Sequence, residues 1–206
     1  GFGKFSDTRS ADAHTEELQR NLIVSHSCGT GEPLPIEAVR GVMLLRLNAL
    51  VSGFSGIRLS TMETLLRMLN AGVHPVIPEK GSLGASGDLV PLAHMVLPMI
   101  GLGLAEYQGE TLTGSEAMRR AGIPVIRLAA KEGLALINGT QVMTGIGALC
   151  VYDAMRLSKN ADIIASLTCE AQNSITKAFD ARVHLLRGHA GQMACAENLR
   201  AMLAGS

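Results

Sequence analysis

"LALINGTQVMTGIGALCVYDAMRLSKNADIIASLTC", Leu134 to Cys169, is the longest stretch of this 206-residue chain that reads as helix. Gly133 lies just before it, and Gly139, Gly145 and Gly147 lie inside it. Glycine weakens a helix interior, so these positions predict close helix–helix contact or a break near a site. The rest of the chain follows the same pattern. Asp12 is placed to cap a helix over about 13–25, with Leu18, Leu22 and Ile23 on one side. "SCGTGEPLP" breaks it, since Gly29, Gly31, Pro33 and Pro35 make a turn. A second helix is predicted from Ile36 to Val51, with a stripe of Val39, Val42, Met43, Leu47 and Leu50. After "SGFSG", Ser60 with Glu63 three residues on has the form of a capping box. It opens a third helix, striped by Met62, Leu65, Leu66 and Leu69 and ended by Asn70 and Gly72.

Another helix is predicted to start near Asp88. "EYQGETLTG" fits a short β-hairpin or an irregular excursion, and Ser115–Arg120 a short helix. Residues 171–203 read as helix, a turn at "RGHAGQ", and helix. No repeat or low-complexity tract interrupts the chain. The expected fold is mainly α, one domain over residues 1–206 built from packed long helices.

Composition narrows the function. Lys plus Arg and Asp plus Glu both number 18, and there is no Trp. Without a basic face or an aromatic-basic pattern, a nucleic-acid partner is not expected. At 47% hydrophobic and 17% charged, the chain is apolar for a monomer, which points to burial in a larger assembly. The most apolar run, Leu89 to Ala105, contains Pro91, His94 and Pro98 and falls short of the ~20 residues of a bilayer span. It is expected as a buried helix, not a membrane segment. Cys28, Cys150, Cys169 and Cys195 form no CxxC pair and are expected as free, mostly buried thiols in a reducing cytoplasmic setting. The chain opens on "GFGKFSD" and closes on "RAMLAGS", which reads as a fragment of something longer.

Several familiar motifs fail. "GSLGASGD" lacks the Lys-Ser/Thr of a P-loop, and "GLGLAE" and "GIGALC" lack a third glycine and a preceding strand. His184 and His189 are five apart, so a metal site has no support. Ser86 is not in a GxSxG elbow.

The stretch "VHPVIPEKGSLGASG" has no periodicity, and loops of this length inside compact domains tend to be functional. In Ala85-Ser86-Gly87, the Gly87 amide nitrogen can attack the Ala85 carbonyl carbon and close a five-membered ring. Glycine reaches the strained geometry without a Cβ clash. Loss of water, and of the serine hydroxyl, leaves an exocyclic methylene. The product is an electrophile, which ordinary side chains do not supply. A helix starting at Asp88 would favour negative charge developing there. Three residues alone carry no such reading: Ala-Ser-Gly occurs by chance in many chains and by itself reads as a flexible loop leading into a helix.

The longer string adds to this. "GSLGASGDLVPLAHM" resembles the signature of the aromatic amino acid ammonia-lyases, the histidine/phenylalanine ammonia-lyase family. "NLIVSHSCGTGEPLP", "NAGVHPVIPEKGSLGASGDL", "EGLALINGTQ" and "GHAGQMACAENLRAMLAGS" resemble family segments in family order. The opening "GFG" resembles the end of the family's "YGxNTGFG". The resemblance spans the whole chain and implies the core of the ammonia-lyase, fumarase/aspartase-like, helical fold. It also implies an electrophile, 4-methylideneimidazol-5-one, made autocatalytically from Ala85, Ser86 and Gly87, with no external cofactor.

By the same resemblance, Asp88 helps the cyclisation or shapes its pocket, and Asn138 hydrogen-bonds near the electrophile. His26 matches the substrate-side histidine. The pair His26-Ser27 favours a free histidine substrate, converted to trans-urocanate and ammonia. The substrate amine adds to the methylidene carbon, a base removes a β-proton, and the amine leaves. That base is a tyrosine in "YGxNTGFG", ahead of Gly1; neither Tyr107 nor Tyr152 matches it. The family is homotetrameric with shared sites and more than twice this length, so the fragment alone is expected to be weak or inactive. Unpacked apolar faces in residues 142–167 and 175–186 are expected to drive homo-oligomer formation. Two alternatives stay open: a tyrosine/phenylalanine ammonia-lyase or aminomutase, and a non-catalytic helical fragment with uncyclised Ala-Ser-Gly. Taken without the family, His26 reads as a helix-end histidine satisfied by backbone, and Asn138 as a cap or buried amide.

Overall fold

Proline and glycine punctuation sets the main helices. In the computed structural model, which describes residues 14–85 and 87–205, α1 runs Thr15–His26, α2 Ile36–Val51 and α3 Leu59–Ala71. Pro35 precedes α2, and its fixed φ leads into the first turn. Gly72, at φ 75°, closes α3 in the left-handed conformation. α4 follows at Leu89–Val96 and runs into a 3-10 turn, Leu97–Ile100. Pro91, Leu92, Ala93, Met95 and Val96 of α4 are buried, as the sequence predicts for the first half of the Leu89–Ala105 run. The second half is a turn and a strand, because Pro98 and Gly101 end the helical backbone.

Short strands stitch the loops together. β1 (Thr30–Pro33) pairs antiparallel with β3 (Pro78–Lys80). β2 (His74–Pro75), β4 (Leu104–Tyr107) and β5 (Glu110–Thr113) form a three-stranded sheet in the order β2-β4-β5. The β4–β5 hairpin turns at Gln108 and Gly109, both with positive φ. α5 (Gly114–Arg120) is capped by Thr113. α6 is Glu132–Ile137 and α7 is Gln141–Ala171.

Asp12 lies outside the described residues, and two expectations for the helices need correction. Ser60 does not cap α3: the cap position is Arg58, and Ser60 lies within the helix. The run from Leu134 is not one helix, because residues 138–140 are non-helical and separate α6 from α7. Taken across that break, Glu132–Ala171 is long and apolar enough to cross a membrane by composition. The non-helical backbone interrupts its most apolar part, however, and lipid does not tolerate such backbone when exposed. Beyond it α7 carries Asp153, Arg156, Lys159 and Asp162.

The chain divides into two compact units, Gly1–Ala148 and Leu149–Ser206. The first holds the core: Ile23 from α1, Val42, Met43 and Leu50 from α2, Leu65 and Met68 from α3, Leu92 and Met95 from α4, and Leu136 and Ile137 from α6 are all fully buried. The second contains the rest of α7, a 3-10 turn at Thr176–Phe179, α8 (Ala181–Arg187) and α9 (Ala190–Met202). Residues 172–180 are therefore turn and 3-10 helix, where the sequence suggests continuous helix. In this unit the Asp162 carboxylate accepts hydrogen bonds from Cys195 Sγ and Asn198 Nδ2, both at 2.8 Å. Leu157, Leu167, Leu185 and Leu186 are exposed, as expected of the faces in 142–167 and 175–186. The cysteines are free, but Cys28, Cys150 and Cys195 are exposed and Cys169 is half-buried. The expectation of mostly buried thiols fails. A cysteine's apolar character does not fix which side of a helix faces the core, and Cys150 falls on an outer side of α7.

Candidate active site

The loop that holds Ala85 is pinned at its C-terminal end by the break between α6 and α7. Asp88 N–H donates to Gly139 O at 2.6 Å. The Asp88 carboxylate, 2% exposed, accepts from Ser82 Oγ at 2.8 Å and from Met143 N–H at 2.9 Å. Met143 is in the first turn of α7, whose amides have no intrahelical acceptor. Asp88 supplies one from 55 residues away. The side chain that starts α4 thus caps α7.

Gly87 presses into this break. Its φ is +149°, which L side chains rarely adopt. A Cβ there would lie 2.9 Å from Gly139 N and 3.0 Å from both Asn138 Oδ1 and Gly139 O. The fold therefore brings Gly87, Asp88 and Asn138 together. Asn138 is the C-cap of α6, so its plain reading as a cap also holds. Ala85 is exposed in the same loop, and Ser86 lies outside the described residues. An apolar cleft of about 270 Å³ flanks the loop, lined by Ser82, Gly84, Asp88, Pro91, Val142 and Met143 among others.

His26 ends α1, half-buried. Its Nδ1 donates to Leu22 O at 2.8 Å, since a carbonyl only accepts. The neutral ring is therefore left with Nε2 as its acceptor. The backbone-satisfied reading of this histidine is met at one nitrogen only. The chain after His26 is held against the loop's other end. Gly29 N–H donates to His94 Nε2 at 3.0 Å, and a side chain on Gly81 would come within 3.2 Å of Gly29 Cα.

His94 belongs to α4, and burial pushes its pKa below the usual 6.5. Its hydrogen bond agrees with this, because a protonated Nε2 has no lone pair for the Gly29 amide. A lowered histidine pKa means that the unfolded chain takes up the proton first. Its stabilising contribution is then complete above pH 6.5 and is lost as pH falls from there through the folded-state value. His94→Gln, which keeps an acceptor but does not titrate, is expected to flatten this dependence. Urea unfolding of both proteins between pH 5 and 7 checks it, and parallel curves would refute it.

Arg46, which the sequence reading passed over, lies beneath the break. It is 3% exposed. Nη1 donates to Asn138 O at 3.1 Å and to Gln141 Oε1 at 2.8 Å, and Nη2 donates to Ala135 O. Nε is buried with no partner among the described residues. Burial lowers its pKa to about 10, so the guanidinium stays charged at neutral pH. Among the described residues, no group of three or more His, Cys, Asp or Glu is arranged to hold a metal.

The family model described as aromatic amino acid lyase matches residues 1–206. The chain belongs to that family. Among curated aromatic amino acid lyases it is 66% identical, over all of its residues, to "Histidine ammonia-lyase" of Alkaliphilus oremlandii, and covers 41% of that protein. Two solved structures share the helical fold. Histidine ammonia-lyase from Trypanosoma cruzi matches with a TM-score of 0.90 and 42% identity, over 96% of this chain and 39% of that one. Pantoea agglomerans phenylalanine aminomutase matches with a TM-score of 0.94 and 39% identity, over 100% of this chain and 40% of that one. The chain therefore spans about two-fifths of the length of these lyase-family relatives.

Proposed function

We propose that this chain is the electrophile-bearing core, a single domain over residues 1–206, of a histidine ammonia-lyase that converts L-histidine to trans-urocanate and ammonia. The observation that carries the reading is the cradle around Gly87. The backbone there is held in a conformation only glycine adopts readily, against Asn138 and Gly139 and with no room for a side chain. That is the environment cyclisation of Ala85-Ser86-Gly87 requires. The Gly87 nitrogen bonds to the Ala85 carbonyl carbon. The Ala85 oxygen leaves as water with the Gly87 and Ser86 amide hydrogens. The Ser86 hydroxyl leaves as a second water with the Ser86 α-hydrogen. The resulting methylideneimidazolone supplies an electrophilic carbon for the substrate's amine.

The chain's own groups then have distinct tasks. Asp88 fixes the loop end through its three hydrogen bonds. Asn138 Oδ1 lies beside Gly87 to orient the ring, and His26 offers Nε2 toward an imidazole substrate. Histidine as substrate is supported by the 66% identity to the Alkaliphilus oremlandii protein and by His26-Ser27. The likeness to the phenylalanine aminomutase keeps an aminomutase as the second reading. The reading includes a cytoplasmic enzyme acting as a homo-oligomer, a tetramer as in the family, with the exposed leucines of the second unit as buried surface.

The test uses these 206 residues alone and as a chimera replacing the matching segment of the Alkaliphilus oremlandii protein. The chimera is expected to be lighter than its sequence mass by two waters, mapped to the peptide containing Ala85–Gly87, and to form urocanate from histidine. The 206-residue polypeptide alone is expected to form little or none, since the resemblance assigns the proton-abstracting tyrosine to sequence ahead of Gly1. A chimera with unmodified mass would overturn the electrophile reading. A modified chimera that consumes phenylalanine or tyrosine but not histidine would move the substrate to the second reading.

A further inference from the structure

We propose that Arg46 is a positioning residue that holds the α6–α7 break in the shape cyclisation needs. This rests on the electrophile reading above. The break is the wall against which Gly87 is pressed, so whatever fixes residues 138–141 fixes the compression of Ala85–Gly87. Arg46 is the group that does so from below. Its two terminal nitrogens reach three oxygens on both sides of the break: Ala135 O in α6, Asn138 O at its end, and Gln141 Oε1 at the start of α7. No other residue type makes that fork.

Three features separate this from ordinary core packing. First, Arg46 sits on the apolar face of α2 with Val42, Met43 and Leu50, where a methionine or leucine would fill the space without desolvating a charge. Second, its Nε–H is buried and unpaired among the described residues, a cost that packing alone would avoid. Third, Gly139 leaves room for it. A Cβ on Gly139 would run into Arg46 Nη1 and Gln141 Oε1, so the bare backbone at 139 and the guanidinium form a matched pair. The same Gly139 presents its carbonyl to Asp88 N–H. The chain of contacts from Arg46 to Gly87 is thus short and consists of polar bonds and backbone.

The experiment follows the two-water mass loss in the chimera after synthesis, with far-UV circular dichroism and thermal unfolding on the same samples. Arg46→Met keeps the volume and removes the fork. It is expected to slow the mass loss about a hundredfold, the scale of an ångström-sized misplacement of reacting groups, while the unfolding midpoint falls only by what the unpaired acceptors account for and the chimera stays folded at the assay temperature. Arg46→Lys keeps the charge without the fork and is expected to fall between. Added guanidinium ion is expected to speed the reaction in Arg46→Ala. Cyclisation of Arg46→Met at the parent chimera's rate would overturn the proposal, as would, in a variant that still folds, a slowing no larger than the loss of folded molecules. If Arg46→Met does not fold, Gln141→Leu decides. It removes one of the three acceptors and is expected to slow cyclisation several-fold; an unchanged rate overturns the proposal. An unmodified chimera that never loses water overturns the electrophile reading instead, and this one with it.

Discussion

Gly87→Ala in the chimera is expected to abolish the two-water loss at Ala85–Gly87 altogether. Two effects combine. A Cβ at φ +149° is strained by itself, and it would meet Gly139 N, Asn138 Oδ1 and Gly139 O at 2.9–3.0 Å. Two of these are backbone atoms, which cannot swing aside as a side chain can, and Gly139 O is held by the Asp88 amide. The loop must move away from the break, and the Gly87 nitrogen moves with it. Overpacking of this kind costs about 1–3 kcal/mol, so the variant should fold with reduced stability and no ring. Gly84→Ala is the control. Gly84 also has positive φ, but a Cβ there would meet nothing within 4 Å. It is expected to lose only about 1 kcal/mol and to cyclise. Intact mass separates the two. A ring in Gly87→Ala would mean that the cradle is not what drives closure.

Glu132→Ala is expected to destabilise the first unit by roughly 3 kcal/mol. Glu132 is 1% exposed at the start of α6. Its carboxylate accepts from the Arg58 amide and guanidinium, from Thr61 Oγ1 and from the Ala129 amide. Burial alone would raise its pKa, but these hydrogen bonds outweigh burial and bring it down to about 2. The Arg58 side chain is half-exposed and can return to water. The Thr61 hydroxyl and the two amides cannot do so easily, and about 1 kcal/mol for each gives roughly 3 kcal/mol in all. Urea unfolding at pH 7 measures it, and a loss below about 1 kcal/mol would show that water replaces the carboxylate. The sign with pH is fixed by the lowered value. The stabilisation is present above pH 4.5 and disappears as pH falls toward 2, so wild type and Glu132→Gln should converge there.

Elements with local signals were legible. Pro33 and Pro35 before α2 and Ser52-Gly53 after it give both of its ends. Gly72 gives the end of α3. The β4–β5 hairpin follows from one turn. Elements set by distant partners were not. Strands β1 and β3 are short and irregular in sequence and become strands only by pairing with each other. Ser60 and Glu63 have the spacing of a capping box, but the Arg58 amide finds Glu132, 74 residues on, and the helix starts earlier.

The candidate site divides the same way. Gly87, Asp88 and Asn138 came from the long signature and its resemblance. Ser82 and Arg46 did not, because neither has a local pattern that announces its partner: Ser82 is one serine in an aperiodic loop, and Arg46 finds its three acceptors 89 to 95 residues away. Arg46 left one readable trace: it lies three residues after Met43 and four after Val42, a charge in the middle of the apolar stripe of α2.

The supports of the loop are far apart along the chain. Asp88 meets Met143, and Arg46 meets Asn138, across separations of 55 and 92 residues. Until those segments meet, nothing compresses Ala85–Gly87, and the unfolded polypeptide has no reason to close a strained ring. On the proposed chemistry, the loss of water is therefore a covalent record that long-range folding has taken place. Each molecule writes this record once and keeps it through later unfolding, so the ringed fraction of a denatured sample counts the molecules that had once reached the native state.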